Sequence, residues 1–416
     1  MKILCLVDKY YPSSSANTVC CNNLTDYFKR QGVAVDYLAI KDSIDDVDYA
    51  QINGSNIFKI DTYHDKYLKK YGKKYNAKKW IDLPWLLRKY LGLINKVRCC
   101  TRPSTGYVSL DCVDYKKIYN QVAKINNKYD AIISFSMPFG LHIVAKKLLE
   151  MGLADNWYPV FLDVFEYNKC LDVAKTNYRK KLTQKTLKPA TAVFLAEGIL
   201  KEHLEMGYTP DYHKKAQEFY IPTLKDLKLE NNAQDDENNI IMTYAGLFYK
   251  DIRRPDEMLD ILSKFPQNFK LHIYGDGCEK EVEEKAQKFK ENQIFRHGRV
   301  THDKCLEELS KSNILINVGN TITNQMPSKV FEYISIGKPI INFYFTEDDM
   351  CLPIFKKYEL AFNLNLNNYT EGDIENLIEF CNKFKNKKLS YEDATKNLVE
   401  YRVDFIADKM YSTIKK

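Results

Sequence analysis

Asn324-Gln325-Met326-Pro327-Ser328-Lys329-Val330-Phe331-Glu332-Tyr333, running into Ile334-Ser335-Ile336-Gly337-Lys338-Pro339-Ile340-Ile341, is the stretch on which the reading of this 416-residue chain turns. Proline loses no hydrogen bond in the first turn of a helix, so Pro327 suits a helix start, with Ser328 and Lys329 in the same turn. Gly337 and Pro339 close the segment, and the spacing predicts a capped helix of about ten residues. Its N-terminus would present free backbone N–H groups, the positive end of the helix dipole and the Lys329 ammonium to whatever lies ahead of it. A diphosphate suits that chemistry, and one to two turns on, the Glu332 carboxylate can accept hydrogen bonds from a vicinal diol such as a ribose. Taken alone, the same residues also describe an ordinary amphipathic helix ending in a turn.

The flanks decide the context. Ile314-Leu315-Ile316-Asn317-Val318 precedes the helix and Pro339-Ile340-Ile341-Asn342-Phe343 follows it, giving the strand, loop, helix, strand order of a parallel sheet. That alternation runs through the chain. A strand at Ile3 to Val7, a loop from Asp8 to Asn17, a helix to about Arg30, Gly32 and a second strand at Val33 to Leu38 open a doubly wound sheet. Further strands are expected at 131–135, 158–162 and 191–195. Residues 223–239 turn polar and read as a linker, after which strands at 240–246, 271–277, 294–298 and 314–318 restart the pattern. The expected organisation is a first α/β domain over 1–222, a linker over 223–239, a second α/β domain over 240–390 and a helical tail over 391–416.

A hydrophobic content of 45% supplies two packed cores of about 200 residues each. No run of about 18 apolar residues and no basic-then-apolar leader is present, so a cytoplasmic protein without a membrane span is expected. The 11 cysteines include the adjacent pairs Cys20-Cys21 and Cys99-Cys100 but no C-x-x-C spacing, which argues for reduced thiols and against a zinc or redox centre. The net charge of +7 is unevenly spread. A basic, aromatic insertion at about 64–103 interleaves its cations with Tyr67, Tyr71, Tyr75, Trp80, Trp85 and Tyr90, its one acid between Lys66 and Arg102 being Asp82. Such a surface can lie in the headgroup layer of an anionic membrane; a solvated basic face over core aromatics is the alternative, and no nucleic-acid signature appears elsewhere.

Loops after strands hold the ligands of open α/β sheets, so those loops carry the candidates. Gly246 permits close backbone approach, and Lys250, Arg253 and Arg254 follow it as phosphate-binding cations. With Glu332 and the Pro-Ser-Lys before it, the chain resembles the retaining glycosyltransferases of family four, in the subgroup common among bacterial surface-polysaccharide enzymes. That family's glutamate, seven residues, glutamate pattern has Glu332 in second place here and Asn324 in first, an amide that can bond a sugar hydroxyl but carries no charge. The resemblance implies an α/β GT-B fold, with two Rossmann-like doubly wound domains facing a cleft and a C-terminal helix crossing back to the first.

It further implies donor binding by Gly246, Lys250, Gly275, Asp276, Arg299, Val300, Asn324, Pro327, Ser328 and Glu332 from the second domain, and by Ala16 and Asn17 from the first. Arg253 and Lys329 would stabilise the leaving diphosphate. Leu247 stands where the family has its first cation, and Ser13-Ser14-Ser15-Ala16-Asn17 where it has a glycine pair. Ser134-Phe135-Ser136-Met137-Pro138 with His142 resembles a Ser-x-x-Pro…His segment of the subgroup, making His142 and Asp163 the candidates for positioning the acceptor hydroxyl or polarising the sugar. The implied activity is metal-independent transfer from a nucleotide diphosphate-sugar, a UDP-sugar ahead of a GDP-sugar, with no cofactor. The acceptor would be lipid-linked or an oligosaccharide, with peripheral contact at the inner face of the cytoplasmic membrane and no nucleic acid. A GT-B-like nucleotide-sugar epimerase and a non-catalytic nucleotide-sugar binder share the architecture, whereas a dehydrogenase would need a glycine fingerprint that is absent.

Overall fold

The computed structural model describes residues 1–10, 15–43, 45–77, 79–101, 115–126, 128–167, 173–229, 238–321, 327 and 329–416. The chain forms two α/β units, Met1–Pro222 with Asp404–Lys416, and Thr223–Val403.

The first unit is built on β1 (Lys2–Val7), β2 (Ala34–Ile40), β3 (Tyr49–Ile52), β4 (Ser55–Ile60), β5 (Tyr129–Ser136), β6 (Ala154–Phe161), β7 (Val193–Ala196) and β8 (Ala216–Phe219). Their order in the sheet is β3-β4-β2-β1-β5-β6-β7-β8. Every pairing is parallel except β3 with β4, a hairpin whose Asn53-Gly54 turn has φ of 49° and 77°, the conformation that Asn-Gly adopts with least strain. Ile3 to Val7 are all buried, because a central parallel strand is covered on both faces. Helices α1 (Ala16–Arg30), α2 (Tyr63–Tyr75), α3 (Trp85–Thr101), α4 (Tyr115–Ala123), α5 (Gly140–Glu150), α6 (Thr176–Leu187) and α7 (Ile199–Glu205) complete its connections. From β1 the chain winds outward through β2 to β4 and returns to β5 on the other side of β1, so the strand order reverses between β1 and β5. Neither the β3–β4 hairpin nor edge strand β8 is anticipated by the apolar runs read from the sequence; β3 and β8 are only partly covered, and buried β4 is broken by the polar Ser55, Asn56 and Lys59.

The second unit carries β9 (Ile240–Ala245), β10 (Phe269–Tyr274), β11 (Ile294–Gly298), β12 (Ile314–Val318), β13 (Ile340–Tyr344) and β14 (Ala361–Asn365), all parallel, in the order β11-β10-β9-β12-β13-β14. Here the reversal lies between β9 and β12. Its helices are α8 (Asp256–Leu262), α9 (Glu279–Ala286), α10 (His302–Lys311), α11 (Lys329–Ile336), α12 (Leu352–Lys357), α13 (Glu371–Phe384) and α14 (Tyr391–Thr395). A polar ladder crosses its interior: Asn317 Nδ2 donates to Asn342 Oδ1 and Asn342 Nδ2 to Asn363 Oδ1, each at 2.8 Å. These three residues are directly opposite one another on β12, β13 and β14. A one-residue slip of any strand would strand buried amides without partners, so the ladder fixes the register.

The last helix, α15 (Val403–Lys415), inserts Ile406, Ala407, Met410 and Ile414 into the core of the first unit. Tyr27 Oη donates to Asp408 Oδ1 at 2.7 Å beside them. This return begins at Asp404. Residues 391–403 stay with the second unit, where Tyr391 Oη and the Val403 N–H both donate to the Leu224 carbonyl. Leu224, inside the stretch read as a polar linker, is itself fully buried.

Candidate functional site

In the second unit the strand-order reversal gathers the loops after β9 and β12. Gly246 follows β9, and its N–H donates to the Tyr274 carbonyl at 2.9 Å; two residues on, the Phe248 N–H donates to the Asp276 carbonyl at 3.0 Å. The loop after β9 therefore lies backbone to backbone against the turn after β10. A Cβ at Gly275 would fall 1.9 Å from the Gly246 carbonyl oxygen, and one at Gly277 would fall 2.1 Å from that of Phe248. Their φ values of 140° and 95° also favour glycine. The Gly-Asp-Gly turn is thus explained by packing of the two loops. Between the glycines, Asp276 pairs with Arg299 (Nε to Oδ2, 2.5 Å), which sits with Val300 on exposed surface. Lys250 is also exposed, 3.7 Å from Glu281.

Arg253 is more constrained. Tyr249 and Arg253 exchange two backbone hydrogen bonds of 3.0 and 2.9 Å, closing a tight turn. From the loop after β12, Thr321 ties this turn down by donating its N–H to the Ile252 carbonyl (2.7 Å) and its hydroxyl to that of Asp251 (2.8 Å). The Arg253 Nε donates to Asn320 Oδ1 at 3.1 Å, and its guanidinium also faces the buried Tyr244 hydroxyl.

Helix α11 comprises eight residues from Lys329, so Pro327 lies just before it and not in its first turn; the Val330 N–H reaches the Pro327 carbonyl at 3.3 Å. Asn324 and Ser328 lie outside the described residues. Within the first turn the Lys329 ammonium and the Glu332 carboxylate pair at 2.5 Å, both largely covered. Tyr333 docks the helix on β9: its hydroxyl donates to the Ala245 carbonyl (3.2 Å) and accepts from the Ala245 N–H (3.0 Å). The Arg253 turn is thus fastened to the loop after β12, and α11 to the end of β9. Asn320 and Tyr333 escape the sequence reading, although a tyrosine one position after the candidate glutamate is a signal that its neighbour faces the strand.

In the first unit, the reversal between β1 and β5 brings together the start of α1 and the loop after β5. Asn17 Nδ2 donates to the Met137 carbonyl at 2.7 Å, while Ala16 is exposed. Ser15 caps α1, accepting from the Thr18 N–H and donating to Asp8 Oδ1 at 2.6 Å. Asp163, just beyond β6, is exposed, and its charge adds to burial in pushing the Cys20 thiol of α1 up to about 12. Glu166, three residues on, has partners of its own. It is buried, accepting from Tyr212 Oη at 2.9 Å with His203 Nε2 at 3.5 Å. Burial works to raise its pKa, yet the neighbouring His203 and Tyr212 hold it below the usual carboxylate range.

His142 is corrected by the structure. Expected to meet an acceptor, it is fully buried, with Nδ1 2.7 Å from Ser134 Oγ, which also accepts from Trp157 Nε1 at 2.8 Å. The whole first turn of α5 faces the core, which is why the ring turns inward. Burial lowers its pKa from an ordinary 6.5 to about 3. The unfolded chain therefore takes up a proton that the folded one refuses, and stability falls as pH drops from 6.5 toward 3. Between pH 7 and pH 5 this site alone should cost about 2 kcal/mol. His142→Gln, which keeps a side-chain partner for Ser134, should show a smaller fall in thermal midpoint over that interval than the parent protein; equal falls would exclude the assignment.

Two doubly wound units, each with its candidate residues at the point of strand reversal, define the GT-B fold, and solved glycosyltransferases share it. The chain superposes along its whole length on sucrose-phosphate synthase from Thermosynechococcus elongatus (TM-score 0.63, 13% identity, 98% of that chain covered). It likewise matches Anabaena HepE in complex with UDP-glucose (TM-score 0.57, 12% identity, 100% and 99% coverage). A third similar structure is the lipopolysaccharide outer core galactosyltransferase WaaB in its apo form (TM-score 0.54, 13% identity, 100% and 99% coverage). No family model and no curated protein sequence matches the chain.

Proposed function

We propose that this protein is a retaining, metal-independent glycosyltransferase that moves a sugar from a nucleotide diphosphate-sugar, a UDP-sugar ahead of a GDP-sugar, to an acceptor hydroxyl. The observation that carries the reading is that the second unit sets two cations on the loops at its strand reversal, Arg253 held by Asn320 and Lys329, paired with Glu332, on a helix that Tyr333 docks to β9. Negative charge grows on the diphosphate as the sugar leaves, so the fixed Arg253 guanidinium acts on the transition state more than on the bound donor, whereas Lys329 holds the diphosphate in both. In the proposed step the bond from the anomeric carbon to the diphosphate oxygen breaks and a bond to the acceptor oxygen forms on the same face. The acceptor proton passes to the departing diphosphate, giving a glycoside and a nucleoside diphosphate. Glu332 would accept from the ribose diol, and the backbone near Arg299 and Val300 would meet the base.

A thermal-shift and calorimetric screen against UDP, GDP, ADP and their sugars, with and without magnesium, tests this. Metal-independent stabilisation by one nucleoside diphosphate and its sugar is expected; no response to any of them would overturn the reading. Binding without turnover would favour the non-catalytic alternative.

On the acceptor side, the reading is a lipid-linked substrate in surface-polysaccharide assembly, approached at the inner face of the cytoplasmic membrane. WaaB, a lipopolysaccharide galactosyltransferase, lends it support as a structural relative. The insertion offers the stronger physical argument. Leu68, Ala77 and Leu83 form a small core of their own with Tyr71, Trp80 and Leu87, so Trp80 packs partly inward. Outward face Ile81, Trp85, Leu86, Tyr90 and Leu93, each between 57% and 73% exposed. Leu86, Tyr90 and Leu93 follow helical spacing along α3. Lys69, Lys70, Lys73, Lys74 and Lys79 are exposed nearby in sequence, and Lys89 lies 4.0 Å over the Trp85 ring. Large apolar side chains set among cations match an anionic bilayer surface. Among the described residues no helix is long and apolar enough to cross a membrane. In flotation assays the protein should rise with vesicles containing phosphatidylglycerol and less with pure phosphatidylcholine. Leu86→Glu with Leu93→Glu should abolish this; unchanged flotation would exclude the face, and a dimer dissolved by the same changes would assign it to a second copy.

A further inference from the structure

In the acidic stretch Glu347-Asp348-Asp349 the first two residues are exposed, yet Asp349 is only 3% exposed. Its Oδ1 accepts from the Cys351 N–H at 2.7 Å, and no described group donates to its Oδ2. That second oxygen is pressed against the peptide that follows β12: a Cβ at Gly319 would lie 2.1 Å from it, so only glycine allows the carboxylate so close. The Gly319 N–H is already committed to the Phe343 carbonyl at 2.8 Å. The Asn320 N–H lies near the carboxylate without a formed hydrogen bond to Oδ2 and, with those of Cys351 and Leu352, works against the effect of burial, which nonetheless leaves the carboxyl raised. Asn320, itself only 2% exposed, carries the Oδ1 that receives Arg253 Nε at 3.1 Å.

We propose that Asp349 is a positioning residue for Arg253, its buried carboxylate clamping the Gly319-Asn320 peptide so that the Asn320 side chain aims the guanidinium into the donor corner. A buried, hydrogen-bonded carboxylate is costly to keep unless its placement is used, and here the peptide it grips leads directly to the cation assigned to the diphosphate. Arg253 alone, with freely rotating torsions, would lose more conformational freedom on meeting a diphosphate than one already held in place.

The inference rests on the donor reading of Arg253, and a double-mutant cycle separates the two. UDP binding by calorimetry and the thermal midpoint would be measured for Asp349→Asn, Arg253→Ala and the pair. Asp349→Asn should weaken UDP binding about tenfold in the parent but less than twofold when Arg253 is already alanine, since coupled residues are not additive. A merely structural role would instead produce the same loss in both backgrounds, and that result overturns the proposal, as does a silent Asp349→Asn beside an effective Arg253→Ala. If Arg253→Ala leaves both UDP binding and turnover at the level of the parent, the donor reading falls and this inference falls with it. Gly319→Ala displaces the same carboxylate from the other side and should give the same coupling, which keeps the test decisive if Asp349→Asn does not fold.

Discussion

Arg253→Ala should lower turnover by about 10²- to 10³-fold, the range found when one preorganised donor to a developing negative charge is removed. The corresponding barrier increase is about 2.7 to 4 kcal/mol. Ground-state affinity for the donor should fall by much less, because the guanidinium is held by Asn320, and its turn by Thr321, before any ligand arrives. Nucleoside diphosphate release under saturating donor gives turnover, and calorimetry with the non-reacting nucleoside diphosphate gives binding. Parallel losses in the two would make Arg253 a uniform binder, and wild-type values in both would remove it from the site. Arg253→Lys should recover part of the rate only, since an ammonium cannot both keep the Nε bond to Asn320 and present a second donor edge.

Lys329→Ala carries the second large effect, on binding. A charge-assisted contact to phosphate is worth about 1.5 to 3 kcal/mol, or roughly ten- to hundredfold in affinity. In this protein the loss should reach the upper part of that range. Lys329 is paired with Glu332 at 2.5 Å, so its removal leaves an uncompensated carboxylate where the diphosphate must sit. Glu332→Ala should weaken donor binding less, because it frees the Lys329 ammonium even as it deletes the ribose partner. Titration of both variants with the nucleoside diphosphate and its sugar checks the order. Equal losses would mean that the pair acts as a neutral unit, and wild-type affinity in both would exclude the first turn of α11 from the site.

The parallel sheet was legible around α11 because both flanking strands are buried on two faces and so appear as unbroken apolar runs, with Gly337 and Pro339 punctuating the return. The β3–β4 hairpin was less conspicuous, since its outer strand alternates between exposed and half-covered residues; its Asn53-Gly54 turn was the local signal. For the site, residue types were legible and neighbourhoods were not. Arg253 and Lys329 stand out as cations after strands, but only the fold reveals that Lys329 is already paired with Glu332. His142 shows the same limit in reverse: a histidine opening a helix after a strand has the same sequence signature whether it faces solvent or Trp157. Asp349 lies deepest in this respect, since two acidic neighbours mask the single carboxylate that is taken into the interior.

Helix α15 gives the architecture a temporal dimension. The first unit needs Ile406, Met410 and Ile414 to complete its core, whereas everything the second unit requires lies between Thr223 and Val403. During synthesis, which proceeds at about 5–20 residues per second, a nascent chain has the whole sheet of the first unit outside the ribosome long before its final helix exists. The second unit can thus close while the first still exposes an apolar strip beside Tyr27 and Phe28. A chain halted before Ile406 should therefore be captured by chaperones through its first unit.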